Sequence, residues 1–254
     1  MKITFLGTGT SQGIPMIGCS CEVCQSVDFR DQRLRSSVHI EINGKSFVID
    51  TGPDFRQQIL RERIKTLDAV IFTHEHKDHV AGLDDVRGFN AFHQKPMQIY
   101  AHQRVIEHIK TREFYYAFGN YKYPGAPEIE VNEIKNEPFY IEGILFIPIE
   151  VMHYKLPVFG FRIGDFTYLT DANFISDEEQ EKIKGSKVIV INGLQHDFHV
   201  SHFTFKESIE LLQKWQPEKA FLTHISHKLG KHSAVEKTLP DWIRLGYDGL
   251  KIEL

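Results

Sequence analysis

The chain has 254 residues, 41% of them hydrophobic, with 30 Lys and Arg against 34 Asp and Glu and a formal net charge of -4. That size and apolar content supply an ordinary packed core and predict one domain over residues 1–254, while the near balance of charge excludes a global pull toward nucleic acid or anionic membranes and leaves only local basic patches. No uncharged apolar run nears the ~20 residues that span a bilayer, and three cysteines packed between Cys19 and Cys24 are a poor framework for disulfides.

The first run, Lys2 to Leu6, reads as a short strand and not a signal peptide, so a cytoplasmic protein is expected. Strands are predicted at Ser37 to Ile42 and Lys45 to Ile49, joined by the two-residue hairpin signal Asn43-Gly44. Helical periodicity follows at Asp54 to Arg63, then a strand at Ala69 to Thr73, a strand at Gln98 to Ala101 and a helix at Gln103 to Phe114. Tyr115 to Pro127 breaks the alternation with four tyrosines, two glycines and two prolines, and is predicted to be an insertion loop, a lid or surface packing. Further strands are predicted at Leu145 to Val151, Val158 to Ile163, Phe166 to Thr170, Val188 to Asn192 and Lys219 to Thr223, with Gly164-Asp165 as a second hairpin turn. Helices at Ser176 to Ile183 and Thr204 to Trp215 lie between them. Antiparallel pairs interleaved with helices predict an α/β fold of two sheets with helices outside.

Four potential metal ligands leave the strand at Ala69 together, in Thr73-His74-Glu75-His76-Lys77-Asp78-His79. Imidazole and carboxylate at that density suit a borderline divalent cation such as zinc or manganese. Asp78 occupies the position where the helical protease motif H-E-x-x-H requires its second histidine, which sets that motif aside. His153, Asp171 and His224 each follow a later strand, and the same sheet edge can collect them. Seven ligands are too many for one tetrahedral zinc and predict two metals, hence hydrolysis by a bridging hydroxide. His39, His93, His102, His108 and His232 are read as hydrogen-bonded structural residues. Cys19-x-Cys21-x-x-Cys24 supplies three soft ligands in one tight loop, for a zinc that needs a fourth; redox-active thiols are the other reading.

H-x-H-x-D-H, a later His, a later Asp and a final His, each after a strand, resemble the metallo-β-lactamase superfamily. Leu6-Gly7-Thr8-Gly9-Thr10-Ser11 before Gly13-Ile14-Pro15, the cysteine loop, Tyr168-Leu169-Thr170-Asp171 and Thr223-His224-Ile225-Ser226-His227 are similar to its PhnP-type branch of phosphoribosyl cyclic phosphate phosphodiesterases. The resemblance implies a four-layer αββα sandwich with His74, His76 and His153 on one metal, Asp78, His79 and His224 on the other, and Asp171 bridging. It also implies that His227 completes the zinc site of Cys19, Cys21 and Cys24. Asp50 resembles an acidic residue behind the metal loop, against the alternative of a turn residue before Pro53.

The implied reaction is hydrolysis of a small phosphate ester, a cyclic ribose phosphate among them, with Asp78 in the catalytic centre and His202 or His199 protonating the leaving oxygen. Val200 between these two histidines departs from the proline expected in this branch and leaves both open. Arg87 is expected either on a substrate phosphate or in a salt bridge with Asp84 or Asp85. Competing readings are a thioester, lactone or β-lactam hydrolase with the same metals, a tRNA-processing nuclease, and a non-catalytic zinc module. No membrane partner is expected, nucleic acid is disfavoured by the absence of a long basic arm, and a homodimer stays open.

Overall fold

The computed structural model describes residues 1–254 except the side chain of Tyr121, so that part of the expected Tyr115–Pro127 loop lies outside the described residues. Its contacts group into two compact units, one of residues 1–6, 37–135 and 251–254, the other of residues 7–36 and 136–250.

The first unit is built on β1 (Lys2–Gly7), β2 (Ser37–Ile42), β3 (Lys45–Ile49), β4 (Ala69–Ile71), β5 (Met97–Ala101) and β6 (Ile129–Glu133). Strand β14 (Lys251–Glu253) completes a seven-stranded sheet of order β14-β1-β2-β3-β4-β5-β6. The pairs β14–β1 and β2–β3 are antiparallel, and β3–β4, β4–β5 and β5–β6 are parallel. Asn43 and Gly44 both take positive φ, 52° and 76°, the left-handed pair that a tight hairpin turn requires. Helices α1 (Phe55–Glu62), α2 (Lys77–Val80), α3 (Arg87–His93) and α4 (Gln103–His108) follow the strands. Phe55, Ile59, Val86, Val105 and Ile106 from this region pack with Val48, Val70 and Ile99 of the sheet into one buried cluster.

The predicted helix from Gln103 to Phe114 changes pitch at Ile109 and continues to Glu113 as a wide π turn. The extra residue per turn lets Phe114, 4% exposed, join the same cluster.

The second unit carries β7 (Phe139–Ile141), β8 (Ile144–His153), β9 (Leu156–Ile163), β10 (Phe166–Tyr168), β11 (Val188–Asn192), β12 (Lys219–Thr223) and β13 (Ile243–Leu245). Their order is β13-β12-β11-β10-β9-β8-β7. Neighbours from β7 to β10 are antiparallel and those from β10 to β13 parallel. Helices α5 (Asp177–Ile183), α6 (Phe205–Trp215) and α7 (His232–Val235) belong to this unit. Ser176 caps α5 through the Glu179 N–H, and Thr204 with Glu207 forms a reciprocal capping box at the start of α6. Leu212 and Trp215 of α6 and Ile183 of α5 pack with Ile189, Ile191 and Leu222 of the sheet.

Among the described residues no helix is long and apolar enough to cross a membrane. Gly82 has no room for a side chain: a Cβ there would collide with the Gly52 carbonyl oxygen and stand 2.7 Å from Cβ of Phe55. Gly82→Ala is therefore expected to destabilise the chain by about 2–4 kcal/mol, as overpacking against backbone that cannot yield. Urea unfolding checks this, and a loss below 1 kcal/mol would show that the loop relaxes.

Candidate metal and catalytic site

In the first unit the expected strand from Ala69 to Thr73 stops at Ile71, because the Thr73 N–H leaves the ladder for the carboxylate of Asp50, 2.9 Å away. Asp50 follows β3, is fully buried, and takes φ 65°. It also accepts the Thr73 hydroxyl at 2.8 Å and His79 Nδ1 at 2.7 Å. Burial pushes the Asp50 carboxyl up, against the bonds from His79 and Thr73 that favour its charged form.

This wiring fixes the imidazole tautomers. His79 donates from Nδ1, so its Nε2 carries a lone pair, 3.2 Å from the Asp78 carboxylate. Thr73 spends its proton on Asp50, so His74 Nδ1, 3.0 Å from that hydroxyl, is the donor there. The Nε2 lone pair of His74 then faces His76 Nδ1 at 3.0 Å, and the rings of His74 and His79 lie 4.2 Å apart. Lone pairs of carboxylate and imidazole converging at this range suit a shared cation.

The second unit gathers three imidazoles around Asp171. This residue follows β10, is 2% exposed and takes φ 57°. Its Oδ1 lies 3.0 Å from His202 Nε2 and 4.0 Å from His153 Nε2, and its Oδ2 lies 3.2 Å from His224 Nδ1. The expected strand through Thr170 ends at Tyr168, and the Thr170 hydroxyl donates to Asp171 at 2.7 Å. Asn192, at the end of β11, clamps the next residue by accepting the Ala172 N–H and donating to its carbonyl. His153 ends β8 and donates Nδ1 to the Ser201 carbonyl at 2.9 Å, which leaves Nε2 as the atom that could hold a metal. His224 follows β12 with φ 52°. Ser36 donates its own hydroxyl to Gly9, which makes it an acceptor for His224 Nδ1, 3.3 Å away.

His202 and His199 do not stand equally. His202 touches Asp171 directly, whereas His199 Nδ1 meets His202 Nδ1, at 3.1 Å, Ser201 Oγ, at 3.3 Å, and the Ser201 N–H, at 3.4 Å. Desolvation and the neighbouring His202 push the His199 imidazole down.

The cysteine loop closes in this unit too. Cys19 Sγ and Cys21 Sγ lie 3.4 and 3.3 Å from His227 Nδ1, and all four ligand atoms, Cys24 included, fall within 4.8 Å of one another. A tetrahedral zinc at ordinary bond lengths needs ligand atoms about 3.6–3.8 Å apart. The Cys24 backbone N–H and His227 hold the Cys21 thiol down at about 6, and desolvation pushes Cys24 up to about 11. A thiol already lowered this far fits a metal thiolate.

Arg87 takes the salt-bridge alternative, with Nη2 2.9 Å from Asp84. Tyr116 donates to the same Asp84 at 2.7 Å and ties the tyrosine segment to the helix region after the metal loop. Thr73, Ser36, Asn192 and Ser201 escaped the sequence reading, because single hydroxyl or amide residues beside a ligand carry no spacing of their own. The one available signal was position: Thr73 and Asn192 stand at strand ends.

Two mixed seven-stranded sheets flanked by helices, with H-x-H-x-D-H at a strand end, define a metal-dependent hydrolase of the metallo-β-lactamase class. A model of the β-lactamase superfamily domain matches residues 45–225. A crystal structure of a new diphosphatase from the PhnP family superposes with a TM-score of 0.92 and 38% identity, over 99% of this chain and 96% of that one. The chain belongs to the β-lactamase superfamily and, within it, to the PhnP family. An octanoyltransferase of Porphyromonas gingivalis (strain ATCC BAA-308 / W83) is 41% identical over 254 residues, 99% of this chain and 51% of that protein. The chain spans about half the length of the curated relatives it matches. The Zn2+-bound PqqB of Methylobacterium extorquens shares the fold, with a TM-score of 0.81 over the whole of both chains at 17% identity.

Proposed function

We propose that the chain is a phosphodiesterase with two divalent metals, acting on a small phosphate ester such as a cyclic ribose phosphate. The observation that carries this is the contact of His202 Nε2 with Asp171 at 3.0 Å: an imidazole nitrogen able to hold a proton sits beside a candidate metal-binding carboxylate, where a leaving oxygen needs its proton. The 38%-identical relative described as a diphosphatase supports phosphorus chemistry over thioester or lactone cleavage. Membership of the family supports assigning His74, His76 and His153 to one ion, Asp78, His79 and His224 to the other, and Asp171 to both. Zinc and manganese both suit such donors.

When bound, the ions would bring the pKa of water toward neutrality and offset charge on the phosphoryl oxygens. The chain's own contribution is orientation and proton supply. Asp50 and Thr73 fix which nitrogen His74 and His79 present, and the Ser201 carbonyl does the same for His153. Ser201 Oγ, 3.0 Å from His202 Nδ1, holds that ring with Nε2 toward Asp171, so His202 gives its Nε2 proton to the departing alkoxide. His227 joins Cys19, Cys21 and Cys24 around a structural zinc. A cytoplasmic location and a substrate free of nucleic acid belong to the same proposal.

A leaving group that needs no proton provides the test. His202→Ala is expected to lose ~10²–10⁴-fold in kcat on a cyclic ribose phosphate, whose leaving group is a strongly basic alkoxide, and far less on a p-nitrophenyl phosphodiester. Equal losses on both esters, or wild-type turnover of a thioester faster than of either, would overturn the reading.

A further inference from the structure

The first unit contains a cleft of about 830 Å³ between α1 and α3, lined by neither the histidines nor the acids of the metal site. Its floor is apolar: Phe55 is 1% exposed, Ile59 and Phe89 9% each. Leu60 and Phe92 rise at its edge, 60% and 88% exposed. Arg56, Lys65 and Arg87 line it against one carboxylate, Asp85. Arg87 is already engaged by Asp84, while Arg56 and Lys65 make no side-chain hydrogen bond or ion pair among the described residues. The volume falls in the range of small-molecule sites, and an apolar floor with a few convergent charges is their usual makeup.

We propose that this cleft binds the free carboxylate of an aliphatic acyl chain, with the tail on Phe55, Ile59, Phe89 and Phe92 and the head group between Arg56 and Lys65. Charge decides the occupant. The chain as a whole is net acidic, yet this face offers two unengaged cations, so an anionic head is favoured and a cationic or neutral one is not. A second copy docking about a two-fold axis would bring both copies' Arg56, Lys65 and Arg87 into one patch with only Asp85 of each to offset them, which disfavours self-association here. The floor is also continuous with the metal loop. The Phe55 N–H bonds Gly52 O at 3.0 Å, Gly82 N–H bonds Thr51 O, and Thr51 N–H bonds His79 O at 2.7 Å. An occupant therefore braces the segment from which Asp50 orients His79.

Calorimetric titration of the full chain with decanoate, below its micellar range, is expected to show one site per chain and a raised melting temperature. Arg56→Glu combined with Lys65→Glu should weaken binding about tenfold, as should Phe92→Ser, and decyltrimethylammonium should bind at least tenfold more weakly than decanoate. All three substituted residues are exposed, so melting of the free variants should match wild type. The proposal fails if decanoate does not bind, if both variants keep wild-type affinity, or if the cationic amphiphile binds as well. It also fails if the wild-type chain self-associates in sedimentation and Phe92→Ser disperses it, or if only anionic vesicles are bound.

Discussion

Asp171→Asn is expected to lower kcat on a phosphodiester by about 10³ while leaving the chain folded. Asparagine keeps the shape of the side chain and tolerates the left-handed backbone at φ 57°, so the Asn192 clamp on Ala172 is undisturbed. What disappears is one negative charge facing His153, His202 and His224. A metal centre supplies several kcal/mol of transition-state stabilisation, and each 1.36 kcal/mol is a factor of ten, so loss of about 4 kcal/mol gives the figure stated. Steady-state kinetics with elemental analysis of the same sample checks both halves of the expectation: slower turnover and fewer ions. Retention of activity within tenfold would remove Asp171 from the centre. Asp171→Ala is the less informative change, since it adds backbone strain to the chemical loss.

The second large effect is expected at the sulfur site. Cys21→Ser should remove one zinc per chain and lower the melting temperature by roughly 10 °C, because closure of the loop by metal contributes to folding and about 1 kcal/mol corresponds to 2–4 °C in a chain of this size. Serine is close in volume, so metal-free wild type and metal-free variant should melt together. Differential scanning calorimetry with and without a chelator makes that comparison. A variant that melts below the metal-free wild type would point to a packing role for the thiol instead.

The strands that the sequence marks most clearly are interior ones. Val188–Asn192 and Lys219–Thr223 match their predicted limits because their centres are buried, and residues 188–191 and 220–222 form uninterrupted apolar runs. The four strands that escaped notice, Ile129–Glu133, Phe139–Ile141, Ile243–Leu245 and Lys251–Glu253, are the four edges of the two sheets. An edge is short and carries polar residues such as Glu130, Asn132 and Arg244, so no apolar run betrays it. The candidate ligands were legible for a different reason: histidines and acids after strand ends form a pattern of residue types. Proton placement was not legible. That Thr73 gives its hydrogen to Asp50 and so turns the His74 lone pair outward depends on atoms brought together across 23 residues of chain. Nor does any spacing foretell that Asp50, Asp171 and His224 all adopt positive φ.

Each sheet divides the labour between its ends. Asp50 and His74 follow parallel strands in the first unit, as Asp171 and His224 do in the second, while the turns at Asn43-Gly44 and Gly164-Asp165 open the strands that lead to Asp50 and Asp171. Strand β3, five residues long, sets Gly44 roughly 20 Å from Asp50. Those two turns are thus natural handles: a fluorophore or a tethering tag can be grafted there to watch or immobilise a working molecule without reaching its chemistry.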